Sequence, residues 1–433
     1  MEFACDRIVP MKEISGRLLR YWKILGPGLI TGAADDDPSG IATYSQTGAA
    51  YGFQLLWLTI FTFPLMGVVQ EMCARIGMVT GKGLASNIRS KYSKTVLLIV
   101  AILLVAANTF NIAADIGAMA QAVQLLAPHI SFGFLVSIIV VGSIALELFV
   151  SYKTYSRYLK YLAIVLFVYV ITGFLIKPDW HAVFFHTLVP SITFNKDQLI
   201  LICAIFGTTI SPYLFFWQAA QEIEEEIADG KNTEESRKDA TREEIHSMRV
   251  DVWSGMFFSN MGMFFIILTC GAVLFSNGIT NILSASDAAQ ALRPIVGDWA
   301  YTLFAVGIIG VGLLSIPVLA GSSAYAVAEI FDWSEGLSKK PTQAYGFYAV
   351  IVFSMLVALV LNFIGLNPIK ALIYAAVGNG VVAPIMLFFV VILSADKALM
   401  GTWVNGVWLN TIGWITVGVM GIVGIATIAS IFM

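Results

Sequence analysis

Long apolar runs alternate with short polar segments along almost the whole 433-residue chain. Each run is close to the ~20 residues that cross a hydrocarbon core as a helix. The pattern predicts spans over 24–50, 53–76, 95–127, 131–151, 158–177, 198–221, 250–276, 297–328, 342–366, 369–394 and 408–432, eleven in all. Two of these runs contain helix breakers and polar groups at mid-depth. Span 1 carries Gly26-Pro27-Gly28 and then Asp35-Asp36-Asp37-Pro38-Ser39-Gly40. Span 6 carries Gly207-Thr208-Thr209-Ile210-Ser211-Pro212-Tyr213. Broken backbone at membrane depth is tolerated only where protein buries it or it lines a cavity.

The two breaks occupy corresponding places, because spans 1–5 and 6–10 form two sets of five. An odd number of crossings inverts the second set relative to the first. Interrupted helices at matching positions of two inverted repeats point to a substrate site near the bilayer midplane. The expected organisation is a cytoplasmic segment over 1–23, a first five-helix repeat over 24–177, a second over 198–394 and an eleventh helix over 408–432. Within the second repeat, 222–249 is a polar loop with the run Glu222, Glu224, Glu225 and Glu226. It reads as a solvated helical extension of span 6 carrying mixed charges.

Composition supports this picture and narrows the function. The chain is 58% hydrophobic and 12% charged, half the charge of a soluble domain at roughly 25%. A soluble enzyme, a nucleic-acid binder and a disordered scaffold are thereby excluded. Residues 1–23 hold five basic residues and no apolar core of a secretory signal. With the N-terminus inside, 21 of the 25 lysines and arginines fall in inner segments. That bias predicts a multi-pass plasma-membrane protein with a cytoplasmic N-terminus and an external C-terminus. Cys5, Cys73, Cys203 and Cys270 have no metal-finger spacing and read as free thiols.

Three successive carboxylates at a break disfavour an anionic substrate and favour a cation. One ionisable group there costs roughly 2.5–3.5 kcal/mol on insertion scales, so each calls for a partner. The nearby sequence offers carboxylate, hydroxyl and carbonyl oxygens but no Met or His, which suits hard ions such as magnesium and manganese. Neighbouring residues on a helix point about 100° apart, so at most one or two of Asp35, Asp36 and Asp37 face the same ion. A membrane aspartyl protease is disfavoured, since the aspartates cluster on one span and no Gly-x-Gly-Asp element exists. A sodium-coupled organic-solute carrier is the remaining competitor of similar architecture.

At these residues the sequence resembles the natural resistance-associated macrophage protein (Nramp) family of divalent-metal transporters. The resemblance rests on Gly26-Pro27-Gly28, Asp37-Pro38, Gly48, Tyr51-Gly52, Gln70-Glu71-Met72, Arg75-Ile76-Gly77 and Gly81-Lys82-Gly83-Leu84. It continues at Pro212 and at Leu319-Ala320-Gly321 with Glu329. It implies an all-α, LeuT-like fold, a transporter rather than an enzyme, and no cofactor, the metal being cargo. It implies Asp37 as ligand and the Ala34 and Thr208 carbonyls beside it.

The departures from the family pattern are specific. The span 1 motif Asp-Pro-Gly-Asn reads Asp37-Pro38-Ser39-Gly40, and the span 6 motif Met-Pro-His-Asn reads Ser211-Pro212-Tyr213-Leu214. Positions matching a span 3 acidic pair hold Asn111 and Ala114, with Asp115 next, and Ala376 stands for a span 10 glutamine. Losing the thioether removes a preference for transition metals. Gly40 and Ala376 are expected to widen the site enough for a partly hydrated ion. These changes resemble the branch of Nramp-related magnesium transporters, in which transport is not tied to protons. The expected ligands are Asp37, Ala34, Thr208 and Ser211, with Asp36 as an added charge; Gly40, Tyr213, Asn111, Asp115 and Ala376 are expected to line the cavity or pathway. Proton-coupled manganese or iron transport is the alternative. The expected partners are divalent cations and the lipid bilayer, with no nucleic acid, and the expected state is a monomer. Glu71 and Arg75, four apart on one helix, read as an internal ion pair.

Overall fold

The computed structural model describes residues 25–150, 167–193, 195–238, 240–293, 297 and 299–432. The expected segment 1–23 and the first half of span 158–177 lie outside the described residues. Everything described is helix or connection. The principal helices are α1 (Pro27–Asp35), α2 (Pro38–Tyr51), α3 (Trp57–Thr80), α4 (Lys94–Leu126), α5 (Phe132–Phe149), α6 (Phe167–Leu175) and α7 (Trp180–Leu188). They continue with α8 (Lys196–Thr209), α9 (Pro212–Ala228), α10 (Arg242–Val273), α11 (Trp299–Phe331), α12 (Tyr345–Leu361), α13 (Pro368–Ser394) and α14 (Val407–Phe432).

The observed helices follow the predicted spans, with shifts at their ends. Span 2 begins at Trp57 rather than 53, because 52–56 are turns that follow Gly52, a residue with φ of +58°. The polar segment 222–249 is divided: α9 runs on to Ala228 as a helical extension, though Glu222 and Glu226 on it are buried rather than solvated, whereas 242–249 is the first two turns of α10. That start is fixed by a capping box, in which Thr241 and Glu244 satisfy each other's orphan amides. The short helix α7 was not anticipated. Asp179 caps it by accepting from the amides of His181 and Ala182.

Helix packing is two-fold. The α1–α2 pair lies against α10, and α9, the second half of the other broken helix, lies against α3. Helices α3 and α10 pack on each other, as do α4 and α11, and α5 flanks α4 as α12 flanks α11. This is the arrangement that two inverted five-helix units generate.

Loop contacts sort the connections onto two faces. On one face Gly26 meets Asp251, Lys82 meets Glu234 at 3.1 Å, Arg89 meets Asp332, Lys91 meets Asp396 and Arg75 meets Asn405. On the other, Tyr51 Oη donates to Asn195 at 3.1 Å, Gln46 to Thr280 O at 3.0 Å and Asn367 to Leu283 O at 3.0 Å. Thr427, near the end of α14, donates to Leu199 O at the start of α8. The first described residues and the last therefore lie on opposite faces, as an odd number of crossings demands.

The face that holds Gly26 carries a cavity of about 720 Å³, lined among others by Lys82, Glu224, Tyr325, Glu329 and Glu335. Glu71 is tied into the same side. It pairs with Arg75 at 3.7 Å and also accepts from Arg249 Nε at 2.8 Å and Trp253 Nε1 at 2.9 Å. The expected internal pair is thus one part of a link between α3 and α10.

Candidate metal site at the two helix breaks

Both breaks have the same construction. Asp36 (φ −83°, ψ 47°) and Asp37 (φ −64°, ψ 172°) separate α1 from α2. Ile210 (φ −126°, ψ 60°) and Ser211 (φ −80°, ψ 136°) separate α8 from α9. A proline then opens the next helix at its first position, where a missing N–H and a fixed φ are harmless. The cause of each break is therefore in the sequence, and its product is a pair of free carbonyls. Ala34 and Thr208 lie four residues before Pro38 and Pro212. In an unbroken helix their oxygens would accept from the amides at 38 and 212, and proline has none.

The structure shows where these two carbonyls turn. Tyr213 Oη donates to Ala34 O at 3.0 Å. Ser211 Oγ donates to Thr208 O at 2.9 Å and to Gly207 O at 2.6 Å. Asp37 caps α2, its Oδ1 accepting from Gly40 N at 2.8 Å and Ser39 Oγ at 2.6 Å. Its Oδ2 accepts from Asn111 Nδ2 on α4 at 2.8 Å. Asn111 Oδ1 is buried with no hydrogen-bond partner. One turn along α4, Asp115 accepts from Ser315 Oγ at 3.0 Å through Oδ2, and its Oδ1 has no partner. Every one of these groups is buried.

These bonds form three pairs around the two breaks, Asp37 with Asn111, Ala34 with Tyr213 and Thr208 with Ser211, with Asp115 adjoining. Three expectations need correction. Asp36 turns toward α10, where Ser259 Oγ lies 3.4 Å from its Oδ1 and Gly262 abuts its Oδ2. Asp35 does the same more tightly, accepting from Ser259 Oγ at 2.5 Å. These carboxylates belong to the α1–α10 contact, because neighbours on a helix diverge.

Gly40 does not widen the site. A Cβ there would stand 3.1 Å from Thr208 Oγ1 and 3.3 Å from Tyr44, so the space is already taken. Gly207 makes a close crossing with the backbone at Ala376, since a Cβ on Gly207 would meet Ala376 O at 1.9 Å. A third surprise is a soft group near the first break. Met119 of α4 packs its sulfur at Gly312 beside Pro38, although the flanking sequence of either break offers none.

Sequence reasoning also missed Ser39, Ser259 and Ser315, whose hydroxyls partner Asp37, Asp35 with Asp36, and Asp115. A buried carboxylate needs donors, so serines spaced along the facing helices were the available signal. Among the described residues no three His, Cys, Asp or Glu side chains gather at one point. An ion held here would be held by one carboxylate together with carbonyl, hydroxyl and amide oxygens. That donor set fits a hard divalent cation.

A helical membrane protein whose two broken helices meet at a buried polar centre has the LeuT-like architecture. The comparisons with known proteins agree and go further. The family model for natural resistance-associated macrophage protein-like (Nramp) proteins matches residues 28–430. The chain belongs to that family.

Among curated relatives, the divalent metal cation transporter MntH of Pectobacterium carotovorum subsp. carotovorum is 25% identical over 426 residues, covering 95% of each chain. The protein of the same name from Bacillus subtilis is 26% identical over 399 residues, covering 90% of this chain and 88% of its own. These relatives are named as metal cation transporters, not enzymes. Among solved structures, the Eremococcus coleocola manganese transporter bound to an aromatic bis-isothiourea compound superposes with a TM-score of 0.78 at 20% identity. It covers 98% of this chain and 89% of that one. Mhp1, a nucleobase-cation-symport-1 family transporter, superposes with a TM-score of 0.57 at 15% identity, covering 94% of this chain and 91% of its own. Both support the fold.

Proposed function

We propose that the protein is a secondary transporter that carries divalent cations, magnesium and also manganese, across the plasma membrane as a monomer, by alternating access and without coupling to protons. The observation that carries this reading is the donor set at the breaks: the Asp37 carboxylate, the two proline-freed carbonyls of Ala34 and Thr208, and the Ser211 hydroxyl. The names of the relatives support divalent-metal transport. The identity of the ion rests on Ser211 and Tyr213 standing where the family motif has methionine and histidine. A hydroxyl carries no preference for soft metals, and a phenol is a poor proton carrier near neutral pH. In this reading the 21-to-4 division of basic residues sets the N-terminus in the cytoplasm. The two broken helices, α1–α2 and α8–α9, bend around the ion while the remaining helices serve as scaffold.

Two observations favour a second reading, proton-coupled manganese or iron transport. The Met119 thioether packs near Pro38, and Asp115 adjoins the centre with an unpartnered oxygen. Purified protein in liposomes loaded with a magnesium-sensitive dye, with a parallel set holding a pH dye, separates the two. Magnesium entry without luminal acidification, abolished in Asp37→Ala, is the expected result. Manganese entry with acidification and no magnesium entry would overturn it in favour of the second reading.

A further inference from the structure

Asp251 is a buried carboxylate that the ion site does not use. It lies on α10 and gathers three main-chain amides at the start of α1. Its Oδ1 accepts from Gly26 N at 2.8 Å and Leu29 N at 3.1 Å, and its Oδ2 accepts from Gly28 N at 2.6 Å. The need for this cap is local. The N-cap position of α1 is Gly26, which has no side chain to offer, and the four leading amides of any helix lack internal partners. A carboxylate there also meets the positive end of the helix dipole.

Helix α1 has nine residues, too few to hold itself as an isolated helix. Between this cap and the Ser259–Asp35 bond at its other end, α1 lies on α10 along a glycine seam. A Cβ on Gly32 would lie 2.3 Å from Gly255 O, and one on Gly255 would lie 2.0 Å from Gly28 O. Glu222 and Glu225 of α9 both bear on Asp251 electrostatically. Gln218 Nε2 donates to Glu222 Oε1 at 2.8 Å, while Gln218 Oε1 is fully buried without a hydrogen-bond partner.

We propose that Asp251 is a positioning residue for the transported ion. By clamping the outer end of α1 it holds the Ala34 carbonyl and the first break against the second, and release of its three amides opens the centre toward the face that bears Gly26. The geometry gives α1 a hinge at Asp36–Asp37 and a single-residue catch at the far end. Freeing the catch lets α1 swing while α2, capped independently by Asp37, stays in place. The role in transport rests on the reading of the preceding section; the clamp itself does not.

The test uses the full-length protein in liposomes, with Cys5, Cys73, Cys203 and Cys270 replaced by alanine and Gln218→Cys as a reporter of access. Alkylation by N-ethylmaleimide is followed by mass spectrometry with Asp251 intact, with Asp251→Asn and with Asp251→Glu. Loss of charge-assisted bonds of this kind is expected to speed alkylation about tenfold or more in Asp251→Asn. Asp251→Glu, which restores the carboxylate, is expected to stay near the parent rate. In the unmodified protein, hydrogen exchange is expected to release amides 26–35 as one unit, faster than amides 40–51.

Alkylation unchanged in a folded Asp251→Asn variant would overturn the proposal. So would equal exchange of the two half-helices, a result that requires no variant to fold. Neither readout depends on which ion is carried. Faster alkylation alongside failed magnesium transport would leave the clamp standing and sink only the ion reading. Intact magnesium transport with unchanged alkylation would do the reverse.

Discussion

The clearest test of the ion site is Tyr213→Phe, because it removes one atom from a buried contact and keeps the ring. That atom donates to Ala34 O at 3.0 Å, the carbonyl that Pro38 frees. A neutral buried hydrogen bond contributes about 0.5–1.5 kcal/mol net, and a buried acceptor left without a donor costs about 1–3 kcal/mol. Taking about 1–2 kcal/mol as the loss from the empty state alone, its weight against the loaded state falls about 5–30-fold. An ion that coordinates Ala34 O no longer competes with the phenol, so the apparent Kd for Mg²⁺ should fall by that factor. Isothermal titration of the purified protein in detergent, with Mg²⁺ and with Mn²⁺, reads this directly. Weaker binding in the variant would refute the reasoning, since it would mean that the hydroxyl itself reaches the ion or its water. Unchanged binding would remove Ala34 from the ligand set.

Other outcomes follow from the same geometry. Asp37→Ala should abolish ion uptake while the protein still folds, because loss of a helix cap costs only about 0.5–2 kcal/mol; a thermal melt beside the liposome assay checks both halves. Gly32→Ala forces a Cβ to within 2.3 Å of Gly255 O and should lower stability by about 1–3 kcal/mol, whereas Gly378→Ala, with nothing within 4 Å, should leave the melting temperature unchanged or slightly raised. Glu335, in the segment between α11 and α12, is pushed up to about 9 by burial and by the charge of Glu329, against the opposing pull of Lys339. Its protonated form therefore favours the docked segment. That contribution is complete below about pH 4.5, the ordinary glutamate value, and is lost as pH rises through about 9. Proteolysis within 332–344 should accelerate from pH 7 to pH 9.5 in the parent, and Glu335→Gln should flatten the profile.

The helices and both breaks were legible because their causes are local. Apolar length sets a span, and proline with a preceding polar residue sets a break. Asp37 and Ser211 could be singled out at the breaks for the same reason, whereas Ala34 and Thr208 came from the family resemblance. The partners of the buried aspartates were not legible, because Ser259 and Ser315 lie more than 190 residues from the carboxylates they serve. Pairing across such distances depends on which helices pack, and the sequence of one helix does not say which neighbour will face it. Gly40 shows the opposite error. A small residue was read as empty space, but in a close-packed interior a missing side chain is usually where another backbone or side chain has moved in. Met119 escaped notice because a search along the flanks of a break cannot see a side chain delivered by another helix.

The hydroxyls of Ser211 and Tyr213 bear on the half of the working cycle that carries nothing. A carrier must return unladen after every delivery, and bare carbonyls buried in a dry interior would make that return journey costly. Here each freed carbonyl finds a donor on the second broken helix, one of them reaching across to the first. The protein thus satisfies both carbonyls with its own side chains, and an ion that binds them must displace those donors. The rate at which the protein resets should then depend on how readily those two donors release their carbonyls.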